Sequence, residues 1–275
     1  MRFGIGFFAT DETVKPGELG RMVEERGLDS IFVTEHTHIP VDHTPHPGGG
    51  DLPGFYRRTL DPFVTLAAIA EATTRIRLGF GISLVVQHDP LTTAKAVASL
   101  DWLSGGRVDF GVGAGWNEPE VANHGTPFDR RFKVMRKHVE AMRALWTQDE
   151  ASYHGEFVDF DPVWSWPKPV QDPLPVYVGG NGERVLERVL RYGDHWMPNL
   201  EYNLADRIGE LRSRADAAGK PRPEVAFFGV PLRPEPVERL WEAGVDECLM
   251  MIRTGPRTVV EAALDRAAGV AAQFA

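Results

Sequence analysis

Gly105-Gly106-Arg107-Val108-Asp109-Phe110-Gly111-Val112-Gly113-Ala114-Gly115-Trp116-Asn117 reads as a short apolar strand that ends in a ladder of glycines and turns outward on a Trp-Asn pair. Glycine at alternate positions removes side chains from one face of a strand end, so a flat molecule can approach the backbone there. A second strand end, Val33-Thr34-Glu35-His36-Thr37-His38, sets titratable groups where another strand stops. Together they predict a barrel mouth that holds a planar cofactor.

Outward from that stretch, strand-like and helix-like pieces alternate. Strands are expected near 2–8, 29–34, 76–82, 107–112, 175–179, 194–198, 225–230 and 246–252. Helices are expected near 17–26, 61–73, 91–103, 131–147, 182–192, 203–218, 234–243 and 257–271. The helix at 131–147 is the clearest, because Phe132, Met135, Val139, Met142 and Trp146 form one apolar stripe at three-to-four spacing. Gly27, Gly193 and Gly244 each follow a helix and precede an acid and a strand, a weak repeat of one αβ unit suited to left-handed helix ends. This alternation is the pattern of a single (β/α)8 TIM barrel over 1–275, an α/β fold. An open doubly wound sheet also alternates in this way.

Long connections follow strands 2 and 4, near 37–60 and 116–130, and in a barrel both lie on the C-terminal face. A third, near 149–175, is rich in Trp and Pro and reads as an ordered excursion that starts with a hairpin at 152–158.

The chain has 275 residues, 43% of them hydrophobic, and a net charge of −9. That charge argues against nucleic acid as a partner, since a phosphate backbone is held by basic patches. No apolar run approaches the roughly 18 residues of a membrane span. Met1 to Phe8 reads as a buried first strand rather than a signal segment. The lone Cys248 precludes an internal disulfide, and a cytoplasmic protein is expected. A Schiff-base lysine is not expected, because no lysine ends a strand, and no Gly-x-Ser-x-Gly elbow is present.

Val178-Gly179-Gly180-Asn181-Gly182 lies between a strand and a helix, where backbone N–H groups can hold an anion. His36 is a candidate hydrogen-bonding partner for cofactor or substrate. His36 and His38 could also share a metal, but later strand ends carry no paired histidines to complete a ligand set, so no metal is expected. The Gly111–Gly115 run departs from a dinucleotide fingerprint because Trp116 and Asn117 follow it directly. Phe7 and Trp116 are expected to shape the substrate side of the mouth.

At this point the chain resembles the luciferase-like monooxygenase superfamily, most nearly its branch that uses the deazaflavin coenzyme F420. The resemblance rests on Phe3-Gly4-Ile5, Glu35-His36-Thr37-His38-Ile39-Pro40, Thr59-Leu60-Asp61-Pro62-Phe63, Ala70 to Gly79, Leu103 to Arg107, Gly111 to Asn117, Trp166 to Gln171 and Val178-Gly179-Gly180-Asn181. It implies a luciferase-like barrel, often dimeric, with the cofactor across the C-terminal mouth. It implies that Glu35 and His36 sit at the reactive edge of the ring as catalytic groups. It implies a non-prolyl cis peptide at Ser83-Leu84 behind the ring. Gly113, Gly115, Trp116 and Asn117 would line the ring and the substrate side. Gly179, Gly180 and Asn181 would hold the phosphate of the cofactor's tail.

The implied activity is hydride transfer between F420 and a small organic substrate, in a homodimer. The alternatives are an FMN-dependent monooxygenase of the same superfamily or a non-catalytic carrier of either cofactor. Sugar-phosphate dehydrogenases of the superfamily have Glu where this chain has Trp116, and no basic cluster for a sugar phosphate is apparent, so that substrate is not expected. Cys248 does not match the reactive cysteine of bacterial luciferase, so light emission is not expected either.

Overall fold

Residues 1–274 are described by a computed structural model, in which every barrel strand runs parallel to its neighbours. In chain order the elements begin β1 (Arg2–Phe7), α1 (Pro16–Glu25), β2 (Ser30–Val33), α2 (Pro62–Ala72), β3 (Arg77–Phe80), α3 (Pro90–Ser104) and β4 (Val108–Val112). They continue with α4 (Glu118–Asn123), α5 (Arg131–Thr147), β5 (Ala151–His154), β6 (Asp159–Val163), β7 (Val176–Gly179), α6 (Val185–Tyr192) and β8 (His195–Met197). The last are α7 (Leu204–Ala217), β9 (Ala226–Val230), α8 (Pro234–Glu242), β10 (Glu247–Ile252) and α9 (Arg257–Ala271).

The strand order is β8-β7-β4-β3-β2-β1-β10-β9, and the two end strands meet. Trp196 N donates to Glu224 O at 3.0 Å and Phe228 N to Pro198 O at 2.9 Å, which closes the sheet and decides for a barrel over an open sheet. Local chemistry sets the helix starts. Asp61 accepts from Val64 N at 2.9 Å and Asp89 from Thr92 N at 2.8 Å, each with proline in the first turn. Gly27 and Gly244 adopt the left-handed conformation past their helices (φ 74° and 91°). Gly193 does not; its backbone is extended, and a Cβ there would lie 2.5 Å from Val178 Cγ2. That position is glycine because α6 comes close to β7.

The third long connection is the ordered excursion expected of it. β5 and β6 pair as an antiparallel hairpin beside α5. The chain then crosses to β7 held by Asp101, whose Oδ2 accepts from Val170 N at 2.7 Å and Gln171 N at 3.0 Å. No helix among the described residues is long and apolar enough to cross a membrane.

Period-two alternation divides each strand between two cores. In β1, Phe3, Ile5 and Phe7 pack outward beneath the helices. Gly4 and Gly6 point inward, where an added Cβ would meet Ser30 Oγ and the Phe228 ring. The inner core holds Phe32, Tyr177, Met197, Ala226 and Leu249, with Ile82 and Phe228 against them. Its N-terminal end is polar: Arg2 bonds Glu224 at 2.5 Å and Glu247 at 3.3 Å, and Arg77 bonds Asp109.

Glu247 is fully buried, with Ser30 Oγ donating to it. Burial, and then the negative charge of Asp109, push its pKa up from near 4.5 to about 7. A raised folded-state pKa means that the folded chain holds this proton more tightly than the unfolded chain. Its contribution to stability is therefore whole below about pH 4.5 and lost as pH rises through about 7. Glu247→Gln should remove that slope. Melting curves from pH 5 to pH 8 should show the wild type losing several degrees relative to the variant across this range. A constant difference would show that Glu247 does not titrate there.

Candidate functional site

A cavity of about 380 Å³ opens at the C-terminal ends of the strands, within the size range of small-molecule sites. Its lining is mainly apolar and includes Phe8, Ile82, Leu84, Trp116, Met197 and Phe228. The long connection after β2 adds Pro47 and Tyr56, and α5 adds Phe132. Phe132 therefore leaves the stripe expected of α5: Met135, Val139, Met142 and Trp146 are buried in the core, while Phe132 faces the cavity.

Several expected residues reach this cavity: Glu35, His36, Leu84, Gly113, Gly115, Trp116, Gly179, Gly180 and Asn181. Others do not. Phe7 is fully buried in the outer core, and Phe8, one residue on and so on the opposite face, takes its place. The non-prolyl cis peptide joins Gly81 to Ile82, not Ser83 to Leu84. Ser83 is buried, and its Oγ donates to Glu35 Oε2 at 2.9 Å rather than facing the cavity. Asn117 is also buried; its Oδ1 accepts from Thr44 N at 3.0 Å and its Nδ2 donates to Glu120 Oε2 at 3.3 Å. It braces the site from behind.

The glycine ladder works differently from its sequence reading. A Cβ on Gly111 would lie 1.9 Å from Phe80 O, and one on Gly113 would lie 1.7 Å from Ile82 Cδ1. The space is bare in sequence but filled in three dimensions. Gly111 lets β3 and β4 approach, and Gly113 seats Ile82, whose side chain becomes part of the cavity wall.

The two titratable residues after β2 have separate partners. Glu35 is almost wholly buried, and its carboxylate accepts from Ser83 Oγ, from Leu84 N at 2.6 Å and from His88 Nε2 at 2.5 Å. Burial works against a charged His88, but the bond and charge of Glu35 outweigh it and leave the His88 pKa raised. His36 Nδ1 bonds Glu120 Oε2 at 2.9 Å. No residue among those described bonds His36 Nε2, the ring nitrogen left for a ligand. Tyr56 and Trp116 lie 5.2 and 6.0 Å from the His36 ring, centroid to centroid. Burial raises the Tyr56 pKa, which keeps its hydroxyl protonated.

Glu120 and Tyr56 were not among the expected residues. A signal for Glu120 existed: Asn117-Glu118-Pro119-Glu120, with proline and acids together, marks a helix start inside what reads as a loop. Tyr56 lies in a short 3-10 turn whose position over the mouth has no local signature. His36 and His38 do not share a site. His38 bonds Thr37 Oγ1 and Asn123 Nδ2, and no group of three or more potential metal ligands gathers among the described residues.

At the other side of the mouth the Gly179–Asn181 turn is braced through its carbonyls. Trp196 Nε1 donates to Gly180 O at 2.8 Å, and Arg207 donates to Asn181 O at 2.7 Å and Gly182 O at 2.9 Å. The Asn181 side chain is held by Asn199 and Leu200. Among the described residues none accepts from the N–H groups of Asn181, Gly182 or Glu183, which leaves donors for an anion.

Gly113→Ala should destabilise the barrel by about 1–3 kcal/mol through its collision with Ile82. Adding Ile82→Ala should recover part of that loss, a coupling readable in denaturation midpoints. Strictly additive losses would mean that Ile82 is not what the glycine accommodates.

Comparison with known proteins gives four informative similarities. The family described as luciferase-like monooxygenase matches residues 12–267. An uncharacterized protein of Mycobacterium tuberculosis is 44% identical over 256 residues, 90% of this chain and 91% of its own length. An F420-dependent glucose-6-phosphate dehydrogenase of Amycolatopsis mediterranei is 32% identical over 227 residues, 78% of this chain and 64% of the dehydrogenase. Among solved structures, a monooxygenase of Streptomyces bottropensis superposes with a TM-score of 0.79 at 21% identity, over the full length of both chains.

Proposed function

This chain belongs to the luciferase-like monooxygenase family, and from that premise we propose that it is an oxidoreductase moving hydride between coenzyme F420 and a small organic substrate. The observation that carries the reading is one histidine in an apolar cavity, His36, tied at Nδ1 and free at Nε2.

The residues present suit a deazaflavin. Ile82, Leu84, Met197 and Phe228 offer apolar surface to a flat ring. The free N–H groups beyond Gly180 suit the phosphate of its tail. When bound, the deazaflavin supplies the hydride donor or acceptor; the protein supplies orientation, polarity and exclusion of water.

His36 carries the proton that accompanies hydride. Its bond to Glu120 fixes the ring's orientation and leaves Nε2 without a protein partner, so that it would bond the reacting oxygen of an alcohol or carbonyl. Glu35, with three donors already on its carboxylate, serves as a clamp between strand ends rather than as the acid. Phe8, Tyr56 and Trp116 surround the substrate side, which favours a weakly polar substrate over a sugar phosphate. The buried Cys248 suits a reducing cytoplasm.

The homodimer has a candidate surface. Val64 on α2 and Leu91, Trp102 and Leu103 on α3 are exposed on helices that pack side by side. We propose that a second copy covers them, since apolar area of this kind on a soluble barrel marks an interface. Light scattering should give twice the chain mass for the wild type and the single-chain mass for Val64→Asp with Trp102→Asp.

His36→Ala should cut turnover at least about a hundredfold while F420 affinity stays within about tenfold. Glu120→Gln should lower turnover less and move the pH–rate profile, because it disturbs His36 without removing it. Loss of binding in His36→Ala would make His36 an anchor and end its proton role. Co-purified FMN with substrate-dependent oxygen consumption would favour the monooxygenase reading instead.

A further inference from the structure

A second cavity, of about 490 Å³, opens at the opposite end of the barrel from the site described above. Arg2 at the start of β1, Glu224 before β9 and Asp246 before β10 place it where the strands begin. Arg222, Arg212 of α7 and Trp241 of α8 add to its walls. None of its lining residues lines the cavity at the C-terminal ends. Its volume is within the range of small-molecule sites.

The charges around it do not balance. Three guanidiniums line it against two carboxylates, in a chain of net charge −9. Glu224 is taken by Arg2, whose Nη2 donates to it at 2.5 Å. Asp246 is divided: its Oδ2 accepts from Arg212 Nη2 and from Val225 N, each at 2.8 Å, and its Oδ1 accepts from Arg222 Nη2 at 2.9 Å. Among the described residues nothing accepts from Arg212 Nη1, or from Nε and Nη1 of Arg222. The Nε atoms of Arg2 and Arg212 are buried without a partner as well. Donors thus outnumber acceptors here, and one carboxylate holds two guanidinium forks together. Burial lowers the Arg212 pKa; Asp246 opposes that shift and the like charge of Arg222 adds to it. Beside them the Trp241 indole is 53% exposed and is braced edge to face by Phe274, with ring centres 5.9 Å apart. An open aromatic face next to two under-bonded guanidiniums suits a planar ring that carries an anion.

We propose that this cavity is a second ligand site, taking a phosphate monoester of a planar ring, with the phosphate on Arg212 and Arg222 and the ring against Trp241. Two forks held by one carboxylate match the double charge and several oxygens of a phosphate better than the single charge of a carboxylate. In a barrel of this kind chemistry is placed at the C-terminal ends of the strands, so the ligand at this end is bound and not turned over. The inference does not depend on the deazaflavin reading.

Calorimetry on the purified full chain at fixed ionic strength tests it, with adenosine monophosphate, inorganic phosphate and adenosine as probes. Adenosine monophosphate should bind with a dissociation constant below about 1 mM, inorganic phosphate at least about fivefold more weakly, and adenosine more weakly than the monophosphate by a similar factor. Arg222→Gln should weaken both phosphate-bearing probes at least about fivefold, and R222E further. In R222Q, Asp246 keeps Arg212 and Val225 N, so the fold is retained, and melting curves check this. Trp241→Ala should weaken adenosine monophosphate and leave inorganic phosphate unchanged. Failure of the monophosphate to bind would overturn the inference. Binding that R222Q and R222E leave intact would put the anion elsewhere, such as on the N–H groups beyond Gly180, and would overturn it too. Binding that depends on Arg222 but is indifferent to Trp241→Ala would overturn the planar ring as the other half of the ligand.

Discussion

The end of β2 is sewn to the next two strand ends by adjacent side chains that face different partners. Glu35 draws in Ser83, Leu84 and His88 beyond β3, and His36 draws in Glu120 beyond β4. Both carboxylates are buried, so removing either set of donors would leave an unmatched charge in a poorly solvated place. The mouth has one arrangement because these bonds are satisfied together. The loops above are then placed on it, with Thr44 bridging to Asn117 and Glu118.

The interior divides its labour along the barrel axis. Charged and hydroxyl groups fill the N-terminal end around Arg2, Arg77, Asp109 and Glu247, where they bond one another. Apolar side chains around Phe32, Leu249 and Phe228 fill the centre. The cavity is what remains at the C-terminal end, where strands diverge into loops. Gly113 belongs to this economy of space: the absent side chain in β4 is matched by the presence of Ile82 from beyond β3.

Periodicity made the fold legible and the side-chain directions only partly so. The helix expected at 131–147 spans Arg131–Thr147, and the strand expected at 225–230 is Ala226–Val230, because apolar spacing reports which face meets a core. One residue of error in facing moves a side chain to the opposite core, which is how Phe7 stood in for Phe8. The turn beyond β3 has no period, so nothing local distinguished Gly81-Ile82 from Ser83-Leu84 as the site of the cis bond. Glu120 was hidden because α4 is a short helix inside a long connection.

Two kinds of force therefore meet at this mouth, and they respond to different conditions. Contact of an apolar ligand with Ile82, Leu84 or Phe228 would depend on area and be nearly indifferent to salt. Bonding of an anion to the unpartnered N–H groups of Asn181, Gly182 and Glu183 would instead be screened by ions. The orientation of the His36 ring is set apart from both, by a buried bond to Glu120. Polar bonding at the rim and apolar contact at the centre can then change independently of each other.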